Sequence, residues 1–283
     1  MKFAKNIKLY LLDGESNGRC ICELSNWTGK AYKLPRNYYK ETLNRKELNT
    51  SGVYFLFGYS EEESISLIYI GETENILERL KQHINDPLKD YWNEAIILIS
   101  KDDYLNKAHV KYLENKFYEI AKHVNRYKVM NEQVPTKSNV SEAEESELEE
   151  FIYNAKILVS ILGHKVFEDV AEGKTDAADA DYLYIKNNRG ISATGIMTSD
   201  GFVVLKGSVI SKMEPQNSLR DGVIKLREKY ILDGKVKEYV LAEDILFSSS
   251  STAAQFVLGT SISGPRVWKN KNGTTLKEIE CEL

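Results

Sequence analysis

Two β-rich runs that lie close together in the chain, residues 52–57 and 65–70, constrain the fold most strongly. Only a short polar stretch separates them, so an antiparallel pair of strands is expected. A third β-rich run covers residues 94–100, and apolar residues at helical spacing predict helices over 75–85 and 105–124. The pattern therefore predicts an α+β fold in which a small three-stranded antiparallel sheet is covered by helices.

Three further segments flank this domain, which is expected to span residues 51–135. Residues 1–50 form a basic N-terminal extension, predicted as a hairpin followed by a short helix. Residues 141–175 are predicted as an acidic helical connector that opens with a capping box at Ser141. Residues 181–283 combine short β-rich runs and turns with a helix, and they predict a second, β-rich α+β domain.

Composition limits the class of protein. The chain has no run of about 18 apolar residues, so a transmembrane helix is not expected. Its N-terminus becomes charged before the apolar core of a signal peptide could form. Its three cysteines match neither a disulfide framework nor a zinc cluster. We therefore expect a cytoplasmic protein that does not contact a membrane.

Charge is distributed unevenly along the chain. The net charge of −4 argues against a strongly basic protein that coats DNA without specificity. Residues 1–50 hold ten Lys and Arg against five Asp and Glu, whereas residues 141–181 hold three against twelve. Residues 182–283 are mildly basic, with fourteen against eleven. Binding of phosphate is therefore expected mainly from the two ends of the chain.

Five polar side chains of the 51–135 segment could together hydrolyse a phosphodiester. This reaction needs an activated water, a group that stabilises phosphoryl charge, and help for the leaving oxygen. Glu114, at the edge of an apolar helix face, could bind a divalent metal. Arg79 and His83 are four residues apart and share one helix face, where the Arg79 fork could bind a phosphate oxygen. Tyr54 could act as the base if a nearby cation stabilised its phenolate, and Tyr69 could orient the water.

Each of these residues also has a purely structural explanation. Glu114 could be a boundary residue that reaches solvent, Arg79 a surface salt-bridge partner, and His83 a helix cap. The two tyrosines could pack in the core, since the chain contains seventeen tyrosines. The combination of the five, rather than any one of them, indicates a site.

The same segment resembles the GIY-YIG endonuclease superfamily. Val53 stands in place of the usual Ile in the first motif, and Arg79 lies ten positions after Tyr69. The residues that carry the resemblance are Gly52-Val53-Tyr54, Tyr69-Ile70-Gly71, Arg79, His83, Glu114 and Asn131.

This resemblance implies a GIY-YIG nuclease fold and hydrolysis of DNA with one divalent metal, Mg²⁺ or Mn²⁺. It implies that Tyr54 is the base, that Arg79 binds phosphate and that Glu114 is the metal ligand. Tyr69 and His83 would assist. Asn131 would be a structural or site-supporting residue. Independently of the resemblance, Gly52 and Gly71 are expected to support the site, because they lack side chains where the backbone could approach it or turn into a helix.

Five further residues are candidates for contact with nucleic acid: Lys30, Lys33, Arg36, Lys81 and Trp268. The first three belong to the basic stretch of the N-terminal extension. Lys81 follows Arg79 on the same predicted helix and could instead be solvated. Trp268, which lies between basic neighbours, could stack on a base, although burial in a small β core is equally compatible with the sequence.

Residues 205–276 resemble an uncharacterised bacterial module found behind GIY-YIG and restriction-modification proteins. The serine run within this region predicts a helix N-terminus capped by hydroxyls, an end that could also hold a phosphate. The residues that carry the resemblance are Leu205-Lys206-Gly207-Ser208, the run 247–254, Gly259, Trp268-Lys269 and Gly273.

We therefore expect a divalent-metal-dependent endonuclease that acts on single- or double-stranded DNA. Two alternatives stay open: a catalytically weak adaptor that binds nucleic acid, and an interaction protein that oligomerises through the acidic helix within 141–181. A homodimer is also left open. The joint presence of Tyr54, Arg79 and Glu114 favours the enzyme, because a degenerate adaptor would be expected to lose at least one of them.

Overall fold

A computed structural model describes residues 4–63, 65–169, 182–212 and 219–281. The chain divides into two compact units, Met1–Glu168 and Asp169–Leu283. Each unit mixes helices with sheets, which confirms the α+β class. The flexible boundary that the Ala/Asp repeat of residues 176–181 predicts lies outside the described residues.

The first unit is built on a seven-stranded sheet with the strand order β1-β2-β3-β6-β4-β5-β7. Neighbouring strands are antiparallel except β5 and β7, which are parallel. The strands are β1 (Ile7–Leu11), β2 (Cys20–Leu24), β3 (Gly29–Pro35), β4 (Gly52–Ser60), β5 (Ile65–Thr73), β6 (Trp92–Ser100) and β7 (Lys128–Val129).

The prediction of a three-stranded sheet was wrong, because the sheet has seven strands. β4, β5 and β6 are the three expected strands, but β6 also pairs along its length with β3, from Gly29 opposite Ser100 to Pro35 opposite Glu94. The hairpin of β1 and β2 continues the sheet beyond β3. The basic segment 1–50 therefore contributes three strands to the same sheet that holds the candidate site.

Helices cover both faces of this sheet. The helices of the first unit are α1 (Tyr39–Thr42), α2 (Ile76–Ile84), α3 (Lys107–Val124) and α4 (Glu142–Ile161), with single turns of 3₁₀ helix at Arg36–Tyr38, Lys46–Leu48 and Pro87–Lys89. One core forms where α3 and α4 pack on the face that carries Phe55 and Ile70. A second core forms where α2 packs on the opposite face, which carries Tyr54 and Ile97.

Local sequence fixes the start of each long helix. The Asn75 side chain accepts a hydrogen bond from the Glu78 amide and caps α2, and Asn106 caps α3 in the same way. The capping box expected at Ser141 opens α4. The apolar side of α4, which includes Phe151 and Leu158, packs in the first core. That side of the helix is therefore buried within the first unit.

The second unit contains a four-stranded antiparallel sheet with the order β13-β10-β9-β8 and a short pair, β11 with β12. Its strands are β8 (Tyr182–Lys186), β9 (Ser192–Thr198), β10 (Gly201–Val204), β11 (Val236–Lys237), β12 (Val240–Leu241) and β13 (Ile245–Phe247). Its helices are α5 (Asp221–Leu232), α6 (Ser250–Leu258), α7 (Gly264–Val267) and α8 (Leu276–Cys281). The serine run does form a helix N-terminus, because the Ser249 side chain accepts from the Thr252 amide and caps α6.

Among the helices that the structure describes, we find none with the length and apolar character needed to cross a membrane.

Candidate active site

The Tyr54 hydroxyl group is the centre of the candidate site. Tyr54 lies on the central strand β4 and is fully buried on the face that α2 covers. Its oxygen accepts a hydrogen bond from Arg79 Nε at 3.1 Å, and it lies 2.7 Å from His83 Nε2. The four-residue step on α2 thus places Arg79 and His83 on the same phenol oxygen. Neither the salt-bridge explanation of Arg79 nor the helix-cap explanation of His83 describes these contacts.

Two glycines near the site lie where other atoms leave no space for a side chain. A Cβ atom on Gly71 would overlap the Cζ and hydroxyl oxygen of Tyr54, so the phenol can lie across β5 only where β5 has no side chain. A Cβ atom on Gly52 would lie 2.6 Å from the carbonyl oxygen of Leu98 on the neighbouring strand. Both glycines are required by close approach rather than by an unusual backbone angle.

Burial sets the protonation of the Tyr54–His83 pair. Burial, with help from Lys89 and Arg79, lowers the pKa of His83 to about 3, so the imidazole is neutral at pH 7. Burial, reinforced by Tyr69, raises the pKa of Tyr54 above its ordinary value, despite the opposing effect of Arg79. In the tautomer that carries the proton on Nδ1, His83 Nε2 accepts the proton of the neutral phenol while the phenol oxygen accepts from Arg79.

Tyr69 completes the aromatic side of the site. Its ring centroid lies 6.3 Å from that of Tyr54 and 5.3 Å from that of His83, and its phenol interacts with the Arg79 guanidinium. The ammonium group of Lys89 lies 3.5 Å from the Tyr69 ring centroid, which is close enough for a cation–π contact. Lys89 is thus a second cation beside Arg79.

Asn131 holds the strand β5 in place beside the site. Its Oδ1 accepts from the Ile70 amide at 3.0 Å and its Nδ2 donates to the Ile70 carbonyl at 2.7 Å. The Asn131 side-chain amide therefore makes the two backbone hydrogen bonds with Ile70 that a neighbouring strand would otherwise make. Ile70 lies between Tyr69 and Gly71. Because hydrogen-bonding groups alternate along a strand, the Glu72 amide faces the same outward side. That amide forms a hydrogen bond with the Glu114 carboxylate.

Glu114 projects from α3 and is half-buried. Burial, followed by repulsion from Glu72, raises the pKa of Glu114 to about 7. Lys107 pairs with Glu72 at 2.9 Å and with Glu74 at 3.7 Å. Arg79 also interacts with Glu114, and Glu114 in turn affects Tyr54, so all five predicted catalytic residues come together.

The oxygen atoms at this position suit a hard divalent cation. Glu114 and Glu72 are neighbouring carboxylates, and Lys107 alone does not restore an ordinary pKa to Glu114. A cation beside Glu114 would relieve the same repulsion. No group of three or more His, Cys, Asp and Glu residues within the described ranges could form a complete metal site. A cation here would therefore need water and substrate oxygens to fill its shell, as is ordinary for Mg²⁺.

Three of the predicted nucleic-acid contacts are occupied within the unit. Lys30 pairs with Glu23 at 3.6 Å and Lys33 with Glu94 at 2.9 Å. Arg36 binds Asp90 at 3.0 Å and donates to the carbonyl of Trp92 at 3.0 Å. Lys30 and Lys33 lie on β3, and Arg36 comes directly after it. Each therefore lies beside β2, β6 or the loop before β6, where its partner is found. Lys81 lies exposed on α2, two residues from Arg79.

The assignment of Trp268 to base stacking was wrong. Trp268 is fully buried, its Nε1 donates to the Ser250 carbonyl at 3.0 Å, and its ring lies 4.5 Å from that of Phe202. No face of the indole is open to a nucleotide. The alternative, burial in the small core of the second unit, is what the structure shows.

Two residues at the site were not among the predicted site residues: Glu72 and Lys107. Its position directly after the motif Tyr69-Ile70-Gly71 was the signal that could have identified Glu72. Lys107 is the first residue of α3, and nothing in its spacing relates it to the tyrosines.

The fold and the site define an α+β protein whose first unit carries a buried tyrosine, arginine and histidine beside a partly buried glutamate. Residues 183–280, within the second unit, match the family described as "Domain of unknown function (DUF4357)". This match agrees with the expected C-terminal module. No curated protein and no solved structure matches the chain.

Proposed function

We propose that the first unit is the catalytic domain of a divalent-metal-dependent endonuclease that hydrolyses DNA phosphodiester bonds. The observation that supports this most is the Tyr54 hydroxyl, held between Arg79 Nε and His83 Nε2 near a glutamate with a raised pKa. A base, a phosphate-binding cation and a metal-binding carboxylate thereby share one small site. The family likeness of the sequence motifs supports the same conclusion.

Arg79 binds the scissile phosphate in this proposal. Its Nε is directed to Tyr54 and its Nη1 donates to Gln82 at 2.7 Å. The guanidinium has five N–H donors, so further donors can bind a phosphate oxygen while Nε keeps the phenol in place. Arg79 then stabilises the negative charge that develops as water attacks.

Tyr54 passes a proton to His83 in this proposal. The attacking water gives its proton to the Tyr54 oxygen as the phenol proton moves along the 2.7 Å hydrogen bond to His83 Nε2. The phenol is thus never left as a free phenolate, which its burial disfavours. The imidazolium formed would be repelled by Lys89 and Arg79. A bound phosphate, being negative, offsets that repulsion.

Glu114, helped by Glu72, would hold Mg²⁺ or Mn²⁺. The metal, when bound, supplies positive charge to the phosphoryl and leaving oxygens. Glu114 must be ionised to bind a cation, and its pKa of about 7 makes that binding depend on pH near neutrality. Repulsion between Glu114 and Glu72 favours cation binding, because the cation removes it.

Cleavage assays test the proposal directly. The wild type is incubated with supercoiled plasmid and with single-stranded DNA in Mg²⁺ or Mn²⁺, beside Glu114→Gln and Arg79→Ala. We expect nicking or linearisation by the wild type and a loss of about 10²-fold or more in each variant. Glu119→Gln is the matched control, because Glu119 lies exposed on the same helix.

Equal cleavage by the wild type and both variants would contradict the proposal, since contamination would then explain the activity. A wild type that binds DNA and does not cut it with either metal would instead support the nucleic-acid-binding adaptor. Binding is measured in the same buffers by fluorescence anisotropy.

A further inference from the structure

The strand β1 presents an apolar edge at one end of the seven-stranded sheet. In the part of the chain that the structure describes, its one partner strand is β2. Tyr10 is 65% exposed and Leu9 is 53% exposed, and Leu11 is also open to solvent. Lys8 is the one charged residue in the strand. Edge strands that combine free backbone groups with apolar side chains readily pair with another strand.

The register of β1 with β2 shows which backbone groups are free. Leu12 N–H donates to the Arg19 carbonyl, and Ser25 N–H donates to the Asn6 carbonyl. Residues with even numbers therefore direct their backbone groups toward β2, and residues with odd numbers direct theirs outward. The outward residues of β1 are Ile7, Leu9 and Leu11.

The sequence of β1 is self-complementary about its middle residue. If two copies of β1 pair antiparallel with Leu9 opposite Leu9, Ile7 lies opposite Leu11 and Lys8 lies opposite Tyr10. The pairs on one face are then entirely apolar. On the other face, each Lys8 ammonium meets a Tyr10 ring, which attracts cations.

The same register also satisfies the backbone. With Leu9 on the two-fold axis, the outward residues of one copy face the outward residues of the other as hydrogen-bonded pairs. Each of the three pairs exchanges two hydrogen bonds. A register shifted by one residue would place outward groups opposite inward ones and would also exchange the two faces. Side chains and backbone thus both fit the register that places Leu9 opposite Leu9 and pairs all three outward residues.

We propose that β1 pairs with β1 of a second copy of this chain, antiparallel about a two-fold axis at Leu9, and joins two sheets into one. A second copy is the fitting occupant because the strand complements itself in cation–π pairs, in apolar pairs and in backbone phase. An isologous contact of this kind closes after two subunits. The pairing does not depend on the nuclease proposal, since β1 and the site lie on different strands.

Sedimentation equilibrium of the full chain tests the pairing over concentrations of about 1–200 μM, the range in which a contact of modest affinity is resolved. The wild type is expected to show a reversible equilibrium between monomer and dimer. Leu9→Lys and Leu9→Glu each place like charges opposite one another on the axis, so each is expected to weaken the dimer by about tenfold or more. An equimolar mixture of the two variants pairs Lys with Glu and is expected to restore a dimer.

Leu88→Lys is the control, because Leu88 is an exposed leucine of the same unit that lies outside β1. It is expected to dimerise like the wild type. Circular dichroism and thermal unfolding verify that each variant is folded. Three results would overturn the proposal: a wild type that stays monomeric throughout, a Leu9→Lys variant that dimerises as well as the wild type, or a mixture that stays monomeric.

Discussion

The hydroxyl of Tyr54 lies 2.7 Å from Nε2 of a histidine, His83, that is neutral at pH 7. Both side chains are buried, and each satisfies the other. The pair can hold one shared proton in two ways, as phenol with imidazole or as phenolate with imidazolium. Arg79 donates to the phenol oxygen in either form. This relationship between a phenol and an imidazole is the basis of the first two predictions.

Tyr54→Phe removes the shared hydroxyl and keeps the ring. We expect cleavage to fall by about 10²–10⁴-fold, the range for loss of a general base. His83 Nε2 would lose its partner within the core, so the free energy of unfolding should fall by about 1–3 kcal/mol. Cleavage rates and urea unfolding measure the two effects. Tyr59→Phe, on the exposed end of the same strand, should change neither. Full activity in Tyr54→Phe would remove the phenol from the reaction.

The pH dependence of stability tests the state of His83. Because the pKa of His83 falls from 6.5 to about 3 on folding, the unfolded chain binds a proton between these values that the folded chain does not. This group should therefore lower the free energy of unfolding as the pH falls from about 6.5, by up to about 1.4 kcal/mol per pH unit. We expect His83→Gln to flatten that slope between pH 4 and 6.5.

Urea unfolding at several pH values measures the slope for each protein. The matched control is His123→Gln, because His123 is exposed at the end of α3. If His83→Gln and the wild type show the same slope while His123→Gln does not, the titrating histidine has been misidentified.

Glu114→Gln removes the charge that is repelled by Glu72. Since folding raises the pKa of Glu114 from 4.5 to about 7, this group favours the folded state at low pH and loses that contribution as the pH rises through 7. Without metal at pH 8, the variant should therefore unfold at a higher temperature than the wild type. Addition of Mg²⁺ or Mn²⁺ should stabilise the wild type and leave the variant unchanged.

Thermal unfolding with EDTA and with each metal measures both effects without requiring DNA. Glu119→Gln should behave like the wild type throughout. A wild type that metals do not stabilise, or a variant that they stabilise equally, would remove Glu114 as the metal ligand.

The strands and helices around the site could be read from sequence because each carries a periodic apolar pattern and, for the helices, a capping side chain. The strand β3 was missed because its two lysines make the segment resemble a basic stretch, although four of its seven residues are buried, among them Ala31 and Leu34. Its strand nature becomes clear only when β6 pairs with it. Short strands with mixed polarity are specified by their neighbours rather than by themselves.

The site could be predicted as a set of residues but not as an arrangement. The four-residue step from Arg79 to His83 predicts a shared helix face, and that is where both side chains meet Tyr54. Contact between Glu72 and Glu114 depends on which residues of β5 direct their amides outward. Only the pairing of β5 with its neighbours sets that direction, so sequence spacing alone does not reveal it.

Gly71→Ala tests the close approach of Tyr54 to β5. The added methyl group would overlap the phenol, so Tyr54 or the strand must move. We expect the free energy of unfolding to fall by about 1–3 kcal/mol and cleavage to fall with it. Gly222→Ala, at a helical position with open space around it, should be neutral or slightly stabilising. Wild-type stability and activity in Gly71→Ala would mean that Tyr54 does not lie against this strand.

Asn131→Asp tests whether Asn131 stabilises the structure of the site or acts on the substrate. Aspartate keeps the acceptor for the Ile70 amide, but it replaces the Nδ2 donor with an oxygen that faces the Ile70 carbonyl. We expect a loss of about 1–3 kcal/mol in the free energy of unfolding, because a carbonyl is left without its donor. Cleavage should fall at saturating metal, since β5 carries both Tyr69 and Gly71. Hydrogen exchange should show faster opening of residues 69–72 than of β6. Unchanged exchange with reduced cleavage would instead mean that Asn131 acts on the substrate directly.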